Sequence, residues 1–504
     1  MGSVEEILAL AQRCGIVLWA DADELRFRAR TGAMTAELRA ALSARKTEII
    51  GALRRPVFIR RPLPQSLPII EYHRGRWDSV KTGYLGVEFV NSPHVAVRIR
   101  GGVVVSSLRR SLCTVTARHA ILRARVVEAQ DGPQFILSPE GDIPLEVIDL
   151  SNEDAADRET LARTVVTQRI WTAFDANAKH WLRIFLVRLG AADHVVGFVI
   201  HHFIADRWSV GIFLQELLQA YAAFESGIAD GLPELPIQYF DYVAGMNDWV
   251  RSDAARISGS YWRDYLRNAP ATLIPPDFEV DPESLGLLAT QSASTSAECT
   301  ASLQSFCRCS GMTMHAVVAA AFIAVMAHQS KAQDIVLITR THGRNDLALL
   351  PLIGAFFDAM ALRAFVTPTM TFQALVASVW SDLTRSSLHQ NYPYHLVVPA
   401  LPEIGASNLA PMVNFSEIPA VPATGGYVQP FELAPRPPVQ HPARRYGGFY
   451  TQITARPDGV HCKAEYMDIM YKEAVVAGFV QSICRLLERG ARDPACSLSD
   501  LLAD

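Results

Sequence analysis

The chain is 504 residues long, half hydrophobic and 19% charged, with a formal net charge of −4. That length exceeds one ordinary core and predicts two to four compact units, and the composition excludes a disordered chain. A charge so near balance gives no reason to expect nucleic acid or a membrane surface as partner. Eight cysteines occur, but Cys307-Arg308-Cys309 is their one close pair and there is no CxxC, so neither a zinc site nor a disulfide framework is expected. Glu5 and Glu6 stand where a signal peptide carries positive charge, and the longest strongly apolar stretch, Ala316 to Ala327, is too short to span a bilayer. A cytoplasmic protein is expected.

Residues 1–55 read as a separate small unit. Val4 to Arg13 has the pattern of a short helix, Ile16 to Trp19 of a strand, Asp21-Ala22-Asp23 of a turn, and Leu25 to Arg28 of the return strand. Thr35 is placed to cap a longer helix whose apolar face holds Leu38, Leu42, Ile49 and Leu53. Arg26, Arg28 and Arg30 alternate along the second strand and so share one face. Such a row is either a solvated edge that resists aggregation or a basic ridge for an acidic peptide added by strand pairing. Residues 56–68, rich in proline and arginine, predict a linker.

Residues 69–240 predict a first α/β lobe, and 241–504 a second. In the first lobe a helix is expected over roughly Val104 to Ala117, followed by Arg118-His119-Ala120-Ile121-Leu122-Arg123. The apolar run Val195 to Ile200 reads as a buried strand. It leads into His201-His202-Phe203-Ile204-Ala205-Asp206-Arg207-Trp208-Ser209, after which Val210, Phe213, Leu214, Leu217, Leu218 and Tyr221 keep helical spacing, with Ser209 as N-cap. Two histidines and a carboxylate therefore lie on a strand-to-helix turn. An imidazole there can take a proton from a nucleophile and return it to a leaving group. Paired histidines on an apolar strand can equally be satisfied core residues, but the full pattern is far rarer than His-His alone. In the second lobe Thr313 caps an apolar helix to Ala327, Asp334 to Thr339 reads as a buried strand, and Arg456-Pro457-Asp458-Gly459 reads as a turn between two strands. A last helix is expected from Tyr471.

The nine-residue stretch resembles the His-His-x-x-x-Asp-Gly-Trp-Ser signature of condensation domains of nonribosomal peptide synthetases, and its His-x-x-x-Asp core is shared with chloramphenicol acetyltransferase. Four further elements resemble that family in order: Arg118 to Arg123, Tyr239-Phe240-Asp241-Tyr242, Thr341 to Asp346 with Leu352 to Asp358, and His389 to Tyr394. Two departures stand out. Arg207 replaces the usual Gly, whose backbone freedom a side chain resists, and Asp358 replaces the usual Asn. The helix–hairpin–helix unit is similar to the β-hairpin docking domains at the N-termini of assembly-line subunits.

The resemblance implies an α/β fold of two chloramphenicol-acetyltransferase-like lobes in a V-shaped pseudo-dimer, with a tunnel between them reaching His202, preceded by an α-β-β-α docking unit. It implies acyl transfer from a carrier-bound phosphopantetheinyl thioester to an amine or alcohol, giving an amide or an ester. His202 is the expected base, with His201, Asp206 and Ser209 shaping the loop and Trp208 packing under it. Arg123, or in competition Arg118, is the expected partner of Asp206. Arg26, Arg28 and Arg30 would bind a short C-terminal motif of an upstream carrier protein. No metal or resident cofactor is expected, because the carrier supplies the phosphopantetheine arm. With no adenylation or carrier segment in the chain, a free-standing, chain-releasing enzyme is expected, acting on a free acceptor or on cargo of a second carrier. A non-catalytic recruitment platform and an acyl-CoA-dependent acyltransferase are the alternatives.

Overall fold

The computed structural model describes the chain except residues 1–3, 22–23, 30–31, 54–55, 71–72, 75–76, 78–91, 142, 176, 271–273, 282, 398–411, 418–426, 436–437, 439, 443–449 and 504. The N-terminal unit pairs helix α1 (Val4–Arg13) with a two-stranded antiparallel hairpin, β1 (Val17–Asp21) and β2 (Glu24–Arg28). Val4, Ile7, Leu8 and Ala11 fall on one side of α1 and close a small core with Ile16, Leu38, Leu42 and Ile49. The Thr35 hydroxyl accepts from Leu38 N at 3.2 Å, as its position predicts. The helix beyond it is two helices, however: α2 (Ala36–Ala44) and α3 (Lys46–Leu53), separated at Arg45.

The proline-rich stretch is docked on the protein. Phe58 packs on Tyr242 at 5.3 Å, Arg61 N donates to Asp241 at 2.9 Å, and Gly245 lets the chain approach, since a Cβ there would lie 2.6 Å from the Val57 carbonyl oxygen. Residues 66–68, expected within the linker, form strand β3 (Ser66–Pro68).

The first lobe holds β4 (His94–Arg100), α4 (Val105–Arg118), β5 (Ala124–Ala129), β6 (Gly132–Leu137), β7 (Leu145–Asp149), α5 (Ala155–Trp171), β8 (Leu182–Gly190), β9 (Asp193–Ile200) and α6 (Arg207–Glu225). Strand β9 is buried on both faces, which is why its sequence is apolar without alternation. Helix α7 (Tyr239–Val250) straddles the lobe boundary expected at 240.

The second lobe is built on a seven-stranded sheet. Its strands are β10 (Leu285–Ser294), β11 (Asp334–Thr341), β12 (Asp358–Phe365), β13 (Met412–Glu417), β15 (Gln440–Pro442), β16 (Tyr450–Arg456) and β17 (Gly459–Met467), in the order β12-β11-β13-β16-β17-β10-β15. Met314–Ser330, apolar all round and buried in this lobe, carries the predicted Thr313 cap, and Glu473–Arg492 is the last long helix. No single helix among the described residues is long and apolar enough to cross a membrane.

Among the described residues, the second half of the chain reaches both the sheet and the apolar core of the first lobe. Strand β14 (Val428–Pro430), from the second half of the chain, completes the first lobe's sheet, whose order is β14-β4-β9-β8-β7. Leu349, Leu352, Ile353 and Phe356, also from the second half, are buried in the same apolar cluster as Phe198, Ile200 and Phe203. That second insertion positions the site.

Candidate functional site

The turn between β9 and α6 places the motif side chains in two different environments. His201 points into the core, stacked on Trp181 at 4.4 Å, and its Nδ1 accepts from Phe203 N at 3.1 Å. Burial, with a smaller contribution from the adjacent His202, pushes its pKa down to about 3. His201 is thus a neutral core residue. His202 is half-buried and its ring stacks on Phe357 with centroids 4.5 Å apart. Its Nδ1 lies 2.8 Å from the Ala205 carbonyl, which can only accept, so the proton sits on Nδ1 and the basic lone pair on Nε2.

Asp206, not Ser209, is the N-cap of α6. Its Oδ1 accepts from Ser209 N at 2.8 Å, and Ser209 Oγ faces the Asp206 N–H in return at 3.4 Å, a reciprocal capping box. The Ser209 hydroxyl is fully buried. Its single proton goes to Asp206 Oδ1 at 2.6 Å, and it accepts from Gly354 N at 3.0 Å and from Arg344 at 3.2 Å. It braces the turn from inside the protein.

The partner of Asp206 is Arg344, not Arg123 or Arg118. Arg344 Nη2 lies 3.0 and 3.1 Å from the two Asp206 oxygens, and its Nη1 donates to the Leu349 and Leu352 carbonyls at 2.6 and 2.7 Å. Arg123 is spent on the Thr116 and Ser138 carbonyls and on Glu140, while Arg118 and His119 share Glu216. Both rejected arginines are held by their own lobe's packing, so neither reaches Asp206. The available sequence signal was the Gly343-Arg344 pair within Thr341 to Asp346. Gly343 has φ +66°, and a Cβ there would lie 1.8 Å from the Phe356 carbonyl oxygen. Gly343→Ala is therefore expected to cost at least about 1–2 kcal/mol from its backbone alone, read as a lowered midpoint in thermal unfolding.

Trp208 does not pack under the turn. Half of it is exposed, and its Nε1 donates to the Leu350 carbonyl at 3.1 Å. Arg207 takes the first helical position with ordinary negative φ, so the position does not need the freedom of glycine. Arg26 and Arg28 share an exposed face of β2, with Arg26 paired to Glu24 at 2.9 Å, and Arg30 lies outside the described residues.

The buried histidines set an acid sensitivity. His201 at about 3 and His315 at about 4, both depressed by burial, take up protons in the unfolded chain near 6.5 but not in the folded one. The unfolded state therefore binds more protons below that value, and stability falls as pH drops from about 6.5 toward 4, by up to about 1.4 kcal/mol per pH unit for each such histidine. Urea unfolding midpoints at pH 7 and pH 5 check this, and His201→Phe is expected to flatten the dependence.

The protein thus joins two α/β lobes across a strand-turn-helix whose turn bears an imidazole and is locked by a carboxylate–arginine pair, an α/β architecture that known proteins share. The match to known proteins is closer than that. Residues 89–503 match the condensation domain family and residues 4–55 the TubC N-terminal docking domain. The chain belongs to the condensation domain family, whose members are amide- and ester-forming acyltransferases of assembly lines and act on carrier-bound substrates. It is 28% identical to one of the linear gramicidin synthase subunits of Brevibacillus parabrevis over 418 residues, 81% of this chain but 8% of that protein's length. In structure it resembles the cyclization-docking bidomain of EpoB from Sorangium cellulosum (TM-score 0.72, 19% identity, covering 98% of this chain and 99% of the other). It also resembles a structure described as the molecular basis for condensation domain-mediated chain release from the enacyloxin polyketide synthase (TM-score 0.70, 19% identity, 99% and 97% covered).

Proposed function

We propose that the chain transfers an acyl group from a carrier-bound phosphopantetheinyl thioester to an amine or alcohol, and that the transfer releases the chain from the upstream carrier. The observation that carries this reading is His202, whose Nδ1 is fixed on the Ala205 carbonyl so that Nε2 is the base. The nucleophile's N–H or O–H gives its proton to Nε2 as the new C–N or C–O bond forms at the thioester carbonyl. The C–S bond then breaks, and the proton passes from Nε2 to the departing thiolate. Asp206 and Arg344 hold the turn in place, and His201 and Ser209 brace it without touching a reactant. Chain release draws support from the enacyloxin neighbour's described role.

Residues 1–55 would recruit the donor. A peptide adding to the hairpin would meet Arg26 and Arg28, a pattern suited to an acidic C-terminal motif of the upstream carrier. Residues 69–240 and 241–504 would form the two walls of a passage to His202. Mass spectrometry of an acyl-loaded carrier incubated with a panel of amines and alcohols tests the reading. An amide or ester product, lost with His202→Ala, is expected. Carrier binding with no product from any acceptor would instead make the protein a recruitment platform.

A further inference from the structure

Residues 352–358 cross from one lobe to the other, and both ends of the crossing are tied down. On the first lobe's side, Asp206 N donates to the Gly354 carbonyl at 3.1 Å and the Tyr239 hydroxyl to the Ala355 carbonyl at 2.9 Å. Phe356 is buried there against Tyr239 and Tyr242, with ring centroids 5.1 and 4.7 Å away. On the second lobe's side, the Asp358 carboxylate accepts from Ala359 N at 2.7 Å and from Tyr394 N at 3.2 Å, and Asp358 opens β12 opposite Thr341 of β11. Phe357 lies between these anchorages. Its ring stacks on the His202 imidazole, with centroids 4.5 Å and planes 26° apart, and the Arg340 guanidinium carbon lies 5.4 Å from the same ring's centroid. We infer that Phe357 is a positioning residue for the transfer: its ring holds the plane of the His202 imidazole, so that Nε2 keeps one direction toward the reacting atoms. This rests on the acyl-transfer reading above and adds the residue that aims its base.

The bond from His202 Nδ1 to the Ala205 carbonyl settles which nitrogen is basic, but it does not settle the ring's plane. A hydrogen bond tolerates rotation about the N–H···O line, and the second side-chain torsion of a histidine is broad, without sharp wells. A flat ring against the imidazole's face removes that freedom, because tilting either opens a gap between the rings or forces them to overlap. The backbone carrying Phe357 cannot follow such a tilt, since bonds to both lobes hold it. A guanidinium within about 6 Å of an aromatic centroid is attracted to the ring, so Arg340 steadies Phe357 in turn. The base from the first half of the chain is thus aimed by a wall from the second half.

The test is a double-variant cycle on the full chain, with a hexanoyl-loaded carrier and the amine or alcohol of the panel that gives product. Phe357→Ala is expected to lower kcat roughly 3–10-fold with KM little changed, the worth of one aromatic stack. Phe357→Tyr is expected to keep the rate, and Phe357→Leu, which fills the space without a flat face, to fall between. In the His202→Ala background Phe357→Ala is expected to cost less than about 2-fold, because the base it would misdirect is gone. An equal cost in both backgrounds, or a loss carried by KM, overturns the proposal and makes Phe357 a wall that touches substrate or only the fold. A second readout needs no turnover. In protein labelled with 15N-histidine, the His202 resonances are assigned by their loss in His202→Ala. They are expected to report the single Nδ1-protonated tautomer in the wild type and in Phe357→Tyr, and to move toward the tautomer average in Phe357→Leu and Phe357→Ala. Identical His202 resonances in the wild type and Phe357→Leu overturn the proposal whatever the rates. If no acceptor gives product, the resonances still decide whether Phe357 restrains the ring, and the acyl-transfer reading alone falls.

Discussion

Arg344→Met is expected to lower folding stability by about 3–5 kcal/mol, the cost of leaving one member of a buried ion pair without the other. Asp206 is 6% exposed and Arg344 4%, so water cannot replace the missing guanidinium. The same change strips donors from the Leu349 and Leu352 carbonyls, which lie in the segment that the second lobe inserts into the first. The loss thus falls on the joint between the lobes. Urea unfolding followed by fluorescence and by pulse proteolysis reads it. Adding Asp206→Asn to Arg344→Met is expected to recover part of the loss, because the neutral amide removes the stranded charge. A single-variant loss below about 1 kcal/mol would contradict a structural role for the ion pair.

His202→Ala is expected to lower turnover by about 10²–10⁴-fold, the usual contribution of a positioned acid–base group, with little change in KM. Transfer does not vanish, because holding two reactants together supplies acceleration that the substitution leaves in place. His201→Ala acts differently. It removes the ring stacked on Trp181 and an acceptor for the Phe203 N–H, so its first effect is on stability. The two adjacent histidines are thereby separable, one read in steady-state rates and the other in unfolding midpoints.

What the sequence reveals follows from where the contacts close. The turn carrying His202 was legible because a continuous apolar run and a helical period adjoin in the chain and each acts locally, although the cap is Asp206 and not the expected Ser209. The arginine that holds Asp206 was not, because that pair closes across 138 residues and the nearer arginines, Arg118 and Arg123, had the same chemistry to offer. Gly343 was the available clue, since a glycine obliged to take positive φ beside an arginine marks a built loop. Strand β14 was equally hidden: three residues ending in proline have no strand period, and only the edge of the other lobe's sheet makes them one. The proline-rich stretch was expected to be a spacer, yet Phe58 and Arg61 bind it to α7. At Arg207 the substitution suggested a strained turn, whereas the first position of a helix asks nothing special of the backbone.

The most direct measurement is a single-turnover experiment in which intact carrier is quenched and weighed at successive times after mixing with the protein and an acceptor. The wild-type chain is predicted to unload the carrier's thioester as product appears, and the protein with His202→Ala to do so at least about 10²-fold more slowly. Equal unloading by the two proteins would show that the imidazole at this turn has no part in breaking the C–S bond.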